Sequence, residues 1–322
     1  MRRLRHMARS TRLWDDRARV SVRVSAVSIV IVAYESGEFL RRCLAAVGSG
    51  HGDVIVVDNG SSSGETRLVC SEFPTVRLIE RSSNEGFGTA ANVGIAASEA
   101  PWILLLNPDA WPQGDAIDRL VRFAKRRPRV GAAGPLLSGL DGRPQRSAIR
   151  PPLGPAALAL WAASPRAVSG AYGLWRSATA FARRRPVRTV EFLQGAVLLL
   201  RREAFDEVRG FDESFFMYGE DADLCARLRD AQWEVVLCPD ARFVHVGGGS
   251  TGRNPERMRI ELLRSWLRLI AKRKGMEEAE RARRWLLLAL RLRALALRGT
   301  RERAAAGWLA SGGVGDLLTL PR

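Results

Sequence analysis

Cysteine is scarce in this chain, four among 322 residues, and the spacing of Cys43, Cys70, Cys225 and Cys238 fits neither a zinc ribbon nor a dense disulfide framework. Four reduced, buried thiols are the expectation. Long apolar runs are also missing. The longest, Trp285 to Leu290, is cut by Arg291 and Arg293, far short of the roughly 20 residues that a membrane-spanning helix needs. The N-terminus carries Arg2, Arg3, Arg5, Arg9 and Arg12 but no apolar stretch before Val27, so no secretory signal is read there and a cytoplasmic protein is expected. Histidine is limited to His6, His51 and His245, and lysine to Lys125, Lys272 and Lys274 among 51 basic residues; the arginine bias reflects base composition, not mechanism. Acidic residues number 34, leaving a net charge of +17, a balance that suggests nucleic acid or an anionic membrane as partner.

Placement of the charge narrows that choice. Residues 1–25 and 250–322 carry +6 and +10, and the nearly neutral middle holds a basic stretch at 122–188 (+13) between acidic segments at 26–121 and 189–249 (−6 each). No nucleic-acid motif accompanies the basic segments, so no nucleic-acid partner is expected. From Val27 to Pro135 short β-branched runs alternate with helical stretches, the pattern of a parallel sheet covered by helices. Strands are predicted at 27–34, 53–58, 76–80, 102–107 and 130–137, and helices at 37–47, 64–73, 86–98 and 114–126. Polar residues follow the strands: Tyr34 and Glu35, Asp58 and Asn59, Asn84, and Asp109. The crevice of an open parallel sheet lies outside the carboxyl ends of its strands, so these groups should converge.

Residues 139–188 are proline-rich and read as an irregular excursion, with short helices near Ala156–Ala163 and Tyr172–Ala182. Order returns with a strand in 190–202, a helix in the second half of 210–233, and two strands at 234–240 and 241–246. After Gly252 the composition turns to Arg, Leu and Ala. Met258, Leu262, Leu263, Trp266, Leu267 and Ile270 form one apolar helical face. A second helix near 277–298 sets Arg284, Arg291 and Arg298 on one side of a Leu-rich surface, an interfacial or partner-docking pattern. The chain is thus divided into a basic tail (1–25), an α/β domain (26–252) with a variable segment (139–188), and a basic amphipathic helical region (253–322).

Several residues could carry chemistry. Asp109 in Leu-Asn-Pro-Asp-Ala follows an apolar strand, where a carboxylate can bind a hard divalent cation; Asn-Pro-Asp is also turn chemistry. Asp58, in VVDNGSSSG, has the same two readings. Glu220, Asp221 and Asp223 cluster at a helix start, which the helix dipole favours without any catalytic task. Phe215, Phe216 and Tyr218 before them either wall off a site for a general base or simply pack in the core. His245 ends a strand and opens into Gly-Gly-Gly-Ser-Thr, a loop that could close over a phosphate.

The segments VSIVIVAYESGEFLRRCL, VIVVDNGSSSGE, SSNEGFGTAANVGI, WILLLNPDA, FLQGAVLLLRREAF, GFDESFFMYGEDADLCARLRDAQW and FVHVGGGST occur in an order and spacing that resembles the family-2 inverting glycosyltransferases of GT-A fold. The similarity covers about 26–252 and is greatest to the bacterial rhamnosyltransferase branch. It implies a Rossmann-like, mixed but mainly parallel sheet with helices on both faces. It further implies a nucleotide-diphosphate-sugar donor (dTDP-L-rhamnose, with a UDP-hexose as alternative), a glycolipid or glycan acceptor, and Mg²⁺ or Mn²⁺. An inactive docking module of the same fold is the competing class. By the same resemblance Ala33, Tyr34 and Asp58 match the donor-nucleoside pocket, and Asn84, Gly86 and Phe87 the loop along nucleotide and sugar. Asn107, Pro108 and Asp109 match the DxD metal motif, with Asn107 in the place of its first acid. Asp221 matches the base, with Glu220 beside it, and His245 the histidine that reaches metal or diphosphate. Gln194 and Gly195 match the turn at the donor sugar, Gln194 standing where many relatives have Ser. The basic segments add an expectation of peripheral binding to the inner face of the cell membrane.

Overall fold

In the computed structural model, which describes residues 27–48, 52–149, 154–163, 188–247, 254–297 and 300–319, the apolar runs of the first half become the strands of one mixed sheet. The first half runs β1 (Ser28–Ala33), α1 (Gly37–Val47), β2 (Asp53–Asp58), α2 (Glu65–Ser71), β3 (Val76–Glu80), α3 (Phe87–Ala96), β4 (Trp102–Leu106), β5 (Ala110–Pro112), α4 (Ala116–Lys125) and β6 (Val130–Ser138). Then come β7 (Ala148–Ile149), α5 (Pro155–Ala163), β8 (Arg188–Thr189), β9 (Phe192–Leu193), β10 (Val197–Arg201), α6 (Arg202–Glu207), α7 (Glu220–Asp230) and β11 (Glu234–His245). The chain closes with α8 (Pro255–Lys274), α9 (Met276–Leu297), α10 (Thr300–Ala310) and α11 (Val314–Thr319). The sheet order is β3-β2-β1-β4-β10-β6-β11-β5, with β8 paired to β11. β1 to β4 are mutually parallel, and β10 enters antiparallel between β4 and β6.

β1 shows why the central strands read as unbroken apolar runs. Val30 and Val32 face one core, and Ile29, Ile31 and Ala33 face the other, so neither set of alternating side chains meets water. α1 and α4 cover the second face, while α3 covers the first with Ala90, Ala91 and Ile95. Small residues on α3 let it lie close to the strands. A Cβ at Gly94 would come within 2.5 Å of the Val30 side chain and 2.8 Å of the Val57 side chain. The C-terminal helices join that same core through Leu263, Leu267, Ile270, Leu286, Leu290, Leu309 and Leu317. Asn254 caps α8, accepting from the Arg257 N–H at 3.1 Å, with Pro255 in the first turn.

Two sequence expectations are corrected and one strand is added. Residues 190–202 are two strands, β9 and β10, broken by the turn at Gln194 and Gly195. Residues 234–246 are one strand, β11, with an irregularity between Cys238 and Arg242. Pro239 there lacks the N–H for the ladder, and pairing resumes beyond it, so the strand bends without ending. β5 was not foreseen at all. It pairs antiparallel with the end of β11, placing Ala110 opposite His245. The anticipated helix near Ala156–Ala163 is α5; the one near Tyr172–Ala182, the tail 1–25 and Arg298 lie outside the described residues. All four cysteines are buried free thiols, as expected, and burial pushes the Cys70 thiol up to about 11 and that of Cys225 to about 12. No helix among the described residues is long and apolar enough to cross a membrane.

Candidate active site

The strand ends do converge. Asn59 N–H donates to the Ala33 carbonyl at 2.8 Å, tying the end of β2 to the end of β1. The Asn59 side chain then reaches the next loop, its Nδ2 donating to Asn84 Oδ1 at 3.0 Å and to the Gly86 carbonyl at 3.2 Å. Asn84 Oδ1 also accepts from Gly86 N–H at 3.1 Å. Gly86, at φ 99°, is obligatory. A Cβ there would lie 2.5 Å from the Phe216 carbonyl oxygen, the same oxygen that accepts the Phe87 N–H at 2.9 Å. Phe87 stands edge-on to Phe211 with centroids 6.2 Å apart. Asp58 is buried, and one of its oxygens accepts the Ser61 N–H at 3.0 Å, so the turn reading of Asp-Asn-Gly holds for Oδ1. Tyr34 is half-buried beside it. Ala33 is wholly buried, its methyl in the sheet core, and of the nucleoside-pocket residues it alone offers no surface. Glu35, left-handed at φ 49°, accepts from Ser62 N–H at 2.6 Å and Ser62 Oγ at 2.7 Å and closes this rim.

The pairing of β5 with β11 brings Asp109 and His245 together. Both are buried, and His245 Nε2 lies 3.5 Å from Asp109 Oδ1. The other carboxylate oxygen accepts the Gly247 N–H at 3.0 Å. Gln145 determines which ring nitrogen carries the proton. Its Nε2 donates to the His245 carbonyl at 2.7 Å, which turns Oε1 toward His245 Nδ1 at 2.9 Å; an amide oxygen accepts only, so Nδ1 donates. Burial lowers the imidazole pKa against the opposing pull of Asp109, keeping the ring neutral. With Nδ1 as the donor, the neutral ring presents its Nε2 lone pair toward Asp109 Oδ1. This donor pair suits a divalent cation, and the fixed Nδ1–H is the usual orienting device for a metal-binding histidine. Among the described residues no third His, Cys, Asp or Glu completes a cluster.

From this pair the site continues across β4 and β10. Asn107 N–H donates to the Ala196 carbonyl at 2.9 Å, and the turn before it, Gln194–Gly195, meets α7. Gly195 N–H donates to Asp221 Oδ2 at 2.9 Å, and Ala222 N–H to Asp221 Oδ1 at 2.8 Å. Desolvation raises the Asp221 carboxyl to about 6 against those two hydrogen bonds. Glu220 is more deeply buried. Among the described residues its Oε2 has no hydrogen-bond partner, and desolvation, reinforced by the charge of Asp221, pushes its pKa well up. Both carboxyls are thus raised, and the charge of Asp221 disfavours ionisation of Glu220 beside it.

Asp223 points elsewhere. Residues two apart on a helix lie about 200° apart, and Asp223 accepts from Arg227 Nε at 2.7 Å while Lys272 Nζ lies 2.6 Å from its other oxygen. Lys272 also holds Asp212 at 2.5 Å, and Ser265 Oγ donates to the Met217 carbonyl at 2.8 Å. Arg268 spans the Ser214 and Leu318 carbonyls. α8 is therefore a brace behind the loop that presents Glu220 and Asp221. Phe215 is fully buried against this brace, so for that ring core packing is the explanation. Sequence reasoning placed Asn59 among the converging strand ends but not its tie to the Asn84–Gly86 loop, and it missed Gln145 and the α8 contacts, for which the sequence held no signal.

The glycosyl transferase family 2 profile matches residues 28–209, and that of glycosyl transferase family group 2 matches 169–317. The chain is 38% identical over 253 residues to an N-acetylglucosaminyl-diphospho-decaprenol L-rhamnosyltransferase of Mycobacterium tuberculosis, covering 70% of this chain and 78% of that protein. Among solved structures it is similar to a mannosyltransferase of Pyrobaculum calidifontis in complex with GDP-Man and Mn²⁺, with TM-score 0.51 and 17% identity over 91% of this chain and 78% of the other. It is also similar to GalNAc-T7 with UDP, GalNAc and Mn²⁺, with TM-score 0.57 and 14% identity over 92% and 58%. At these identities the two structures show a shared fold.

Proposed function

Because the chain belongs to glycosyl transferase family 2 and has its GT-A fold, we propose that it transfers L-rhamnose from dTDP-L-rhamnose, with inversion, to a hydroxyl of a lipid-linked glycan. The coarser statement is that of the family: a sugar moves from a nucleotide-sugar donor to an acceptor in glycan synthesis. Support for rhamnose and for a lipid-linked acceptor comes from the mycobacterial relative's name. On this reading the acceptor is met at the inner face of the cell membrane.

The observation that carries the chemistry is the Asp221 carboxylate, held by two backbone N–H groups and raised to about 6 by burial. A base with that affinity is ionised at neutral pH yet strong enough to take a proton as the acceptor oxygen attacks the anomeric carbon. Attack and departure of the diphosphate occur in line, so the configuration inverts and no covalent intermediate forms. Burial and the charge of Asp221 disfavour a second negative charge on Glu220 beside the attacking oxygen. Asn59 and Asn84 hold the loop bearing Gly86 and Phe87 along the donor, and Asp58 has one oxygen left for a base N–H. Asp109 and His245 would hold Mg²⁺ or Mn²⁺, with Gln145 fixing the imidazole. Such an ion, when bound there, would offset the charge that grows on the departing nucleoside diphosphate. Nucleoside-diphosphate release from dTDP-L-rhamnose, UDP-glucose and UDP-galactose, each with a polyprenyl-diphosphate-sugar acceptor, tests the proposal. It expects release from the rhamnose donor; turnover with UDP-hexoses alone would reassign the sugar.

A further inference from the structure

Helix α9 has two apolar faces, and the core takes only one. Ala279, Ala282, Leu286 and Leu290 are fully buried and lock the helix onto the C-terminal core. On the opposite side Trp285, Leu288, Leu292 and Leu295 are 53%, 51%, 59% and 79% exposed. At 3.6 residues per turn these four fall within a sector of about 80°. They are four of the seven large hydrophobic side chains that are exposed among the described residues, so the exposure is concentrated, not scattered.

The charge along this stripe turns basic past the first turns of the helix, where Glu278 pairs with Arg281 and Glu280 with Arg284. From Arg281 to Leu297 the helix carries five arginines and no acidic residue. Arg284 lies on the stripe's flank with its side chain 73% exposed, its Nε 3.3 Å from Glu280 Oε1, a surface pair that leaves most of the guanidinium in solvent. Arg291, exposed on the same flank, has no acidic partner among the described residues. Arg283 and Arg293 turn inward, to Glu280 at 2.6 Å and Glu302 at 3.0 Å, and so stabilise the fold.

We infer that the Trp285–Leu288–Leu292–Leu295 stripe, with Arg284 and Arg291 at its edge, docks the protein on an anionic lipid surface. Leucine and tryptophan enter the headgroup boundary while the arginines stay with the lipid phosphates. Docking of this stripe against the same stripe of a second copy would bring arginine flanks together and is disfavoured by that repulsion. The inference deepens the lipid-linked-acceptor reading and rests on it for its purpose: an enzyme fixed to the bilayer meets its acceptor there.

The test uses the full chain and vesicle flotation. Vesicles of phosphatidylcholine with phosphatidylglycerol are compared with phosphatidylcholine alone, at low and high salt, for wild type, for the joint Trp285→Ser, Leu288→Ser, Leu292→Ser and Leu295→Ser variant, and for Arg284→Gln with Arg291→Gln. All six side chains are exposed, and Glu280 keeps its closer partner Arg283 when Arg284 is replaced, so thermal melting should be nearly unchanged and sugar transfer to a water-soluble acceptor unchanged. Wild type should float with anionic vesicles, less so in high salt. The arginine variant should bind roughly 30-fold more weakly, about fivefold per charge, and the apolar variant more than 100-fold more weakly. Wild-type binding by the apolar variant, or no binding of wild type to anionic vesicles at low salt, overturns the inference. So does a dimer in solution that the apolar variant abolishes, which would make the stripe a self-association surface. Stripe-dependent binding by a protein that transfers no sugar would uphold docking and refute the proposed function instead.

Discussion

Replacing Asp221 by Asn separates the roles of charge and shape at the proposed base. The carboxyl is raised from 3.8 to about 6, so keeping it ionised at pH 7 costs at most about 3 kcal/mol of stability, at 1.36 kcal/mol per unit. The sign follows from the direction of the shift. With the folded pKa above the unfolded one, the stabilisation is complete below about pH 4 and is lost as the pH rises to about 6. Asn removes that penalty but can accept only one of the two N–H groups, from Gly195 and Ala222, which returns a cost of about 1–3 kcal/mol. The two nearly cancel, so the variant should melt close to wild type at pH 7 and lack the wild-type change in stability between about pH 4 and 6. Turnover, read as nucleoside diphosphate released, should fall by roughly 10²–10⁴ with donor affinity little altered. In wild type the rate should decline as the pH drops below about 6, where Asp221 takes up its proton. Near-normal turnover of the variant would refute the assignment and pass the role to Glu220, since Asp223 is committed to Arg227 and Lys272.

Removal of divalent metal by chelation should abolish turnover, and Asp109→Asn should do the same with added Mn²⁺; Gln145→Leu, by freeing the His245 ring, should weaken metal binding roughly 10- to 100-fold in calorimetry. Lys272→Met leaves buried Asp223 with Arg227 alone and should cost roughly 2 kcal/mol in denaturant unfolding, discounted for the partial exposure of Lys272. Glu280 is pulled down to about 2 by its hydrogen bond from Arg283, so its contribution is present above about pH 5 and lost as the pH falls toward 2. Glu280→Gln should therefore lower stability at pH 7 by about 2 kcal/mol and flatten the acid limb of the stability curve.

The parallel half of the sheet was legible because its strands are buried on both faces and each ends in a polar group. Asp58, Asn84 and Asp109 needed only the topology to be brought to one edge. The joining of residues 234–246 into one strand was not legible, since Pro239 reads locally as a break and only pairing with β6 carries the strand through it. Gln145 was hidden because it meets His245 across 100 residues of chain. Of the acids at the start of α7, helix geometry separates Asp221 from Asp223, but which side faces the site depends on Lys272, in a helix that the motifs do not cover. The two apolar faces of α9 were indistinguishable in sequence, where burial on one and exposure on the other leave the same Leu-rich pattern.

The central claim is that Asp221 carries out an inverting transfer from a nucleotide sugar, and the anomeric configuration of the product tests it most directly. Purified protein with Mg²⁺, dTDP-L-rhamnose and a polyprenyl-diphosphate-sugar acceptor should yield a single product whose new glycosidic bond, read by NMR, has the anomeric configuration opposite to that of the donor, and Asp221→Asn should yield almost none. A product with retained configuration, or an equal yield from Asp221→Asn, would contradict it.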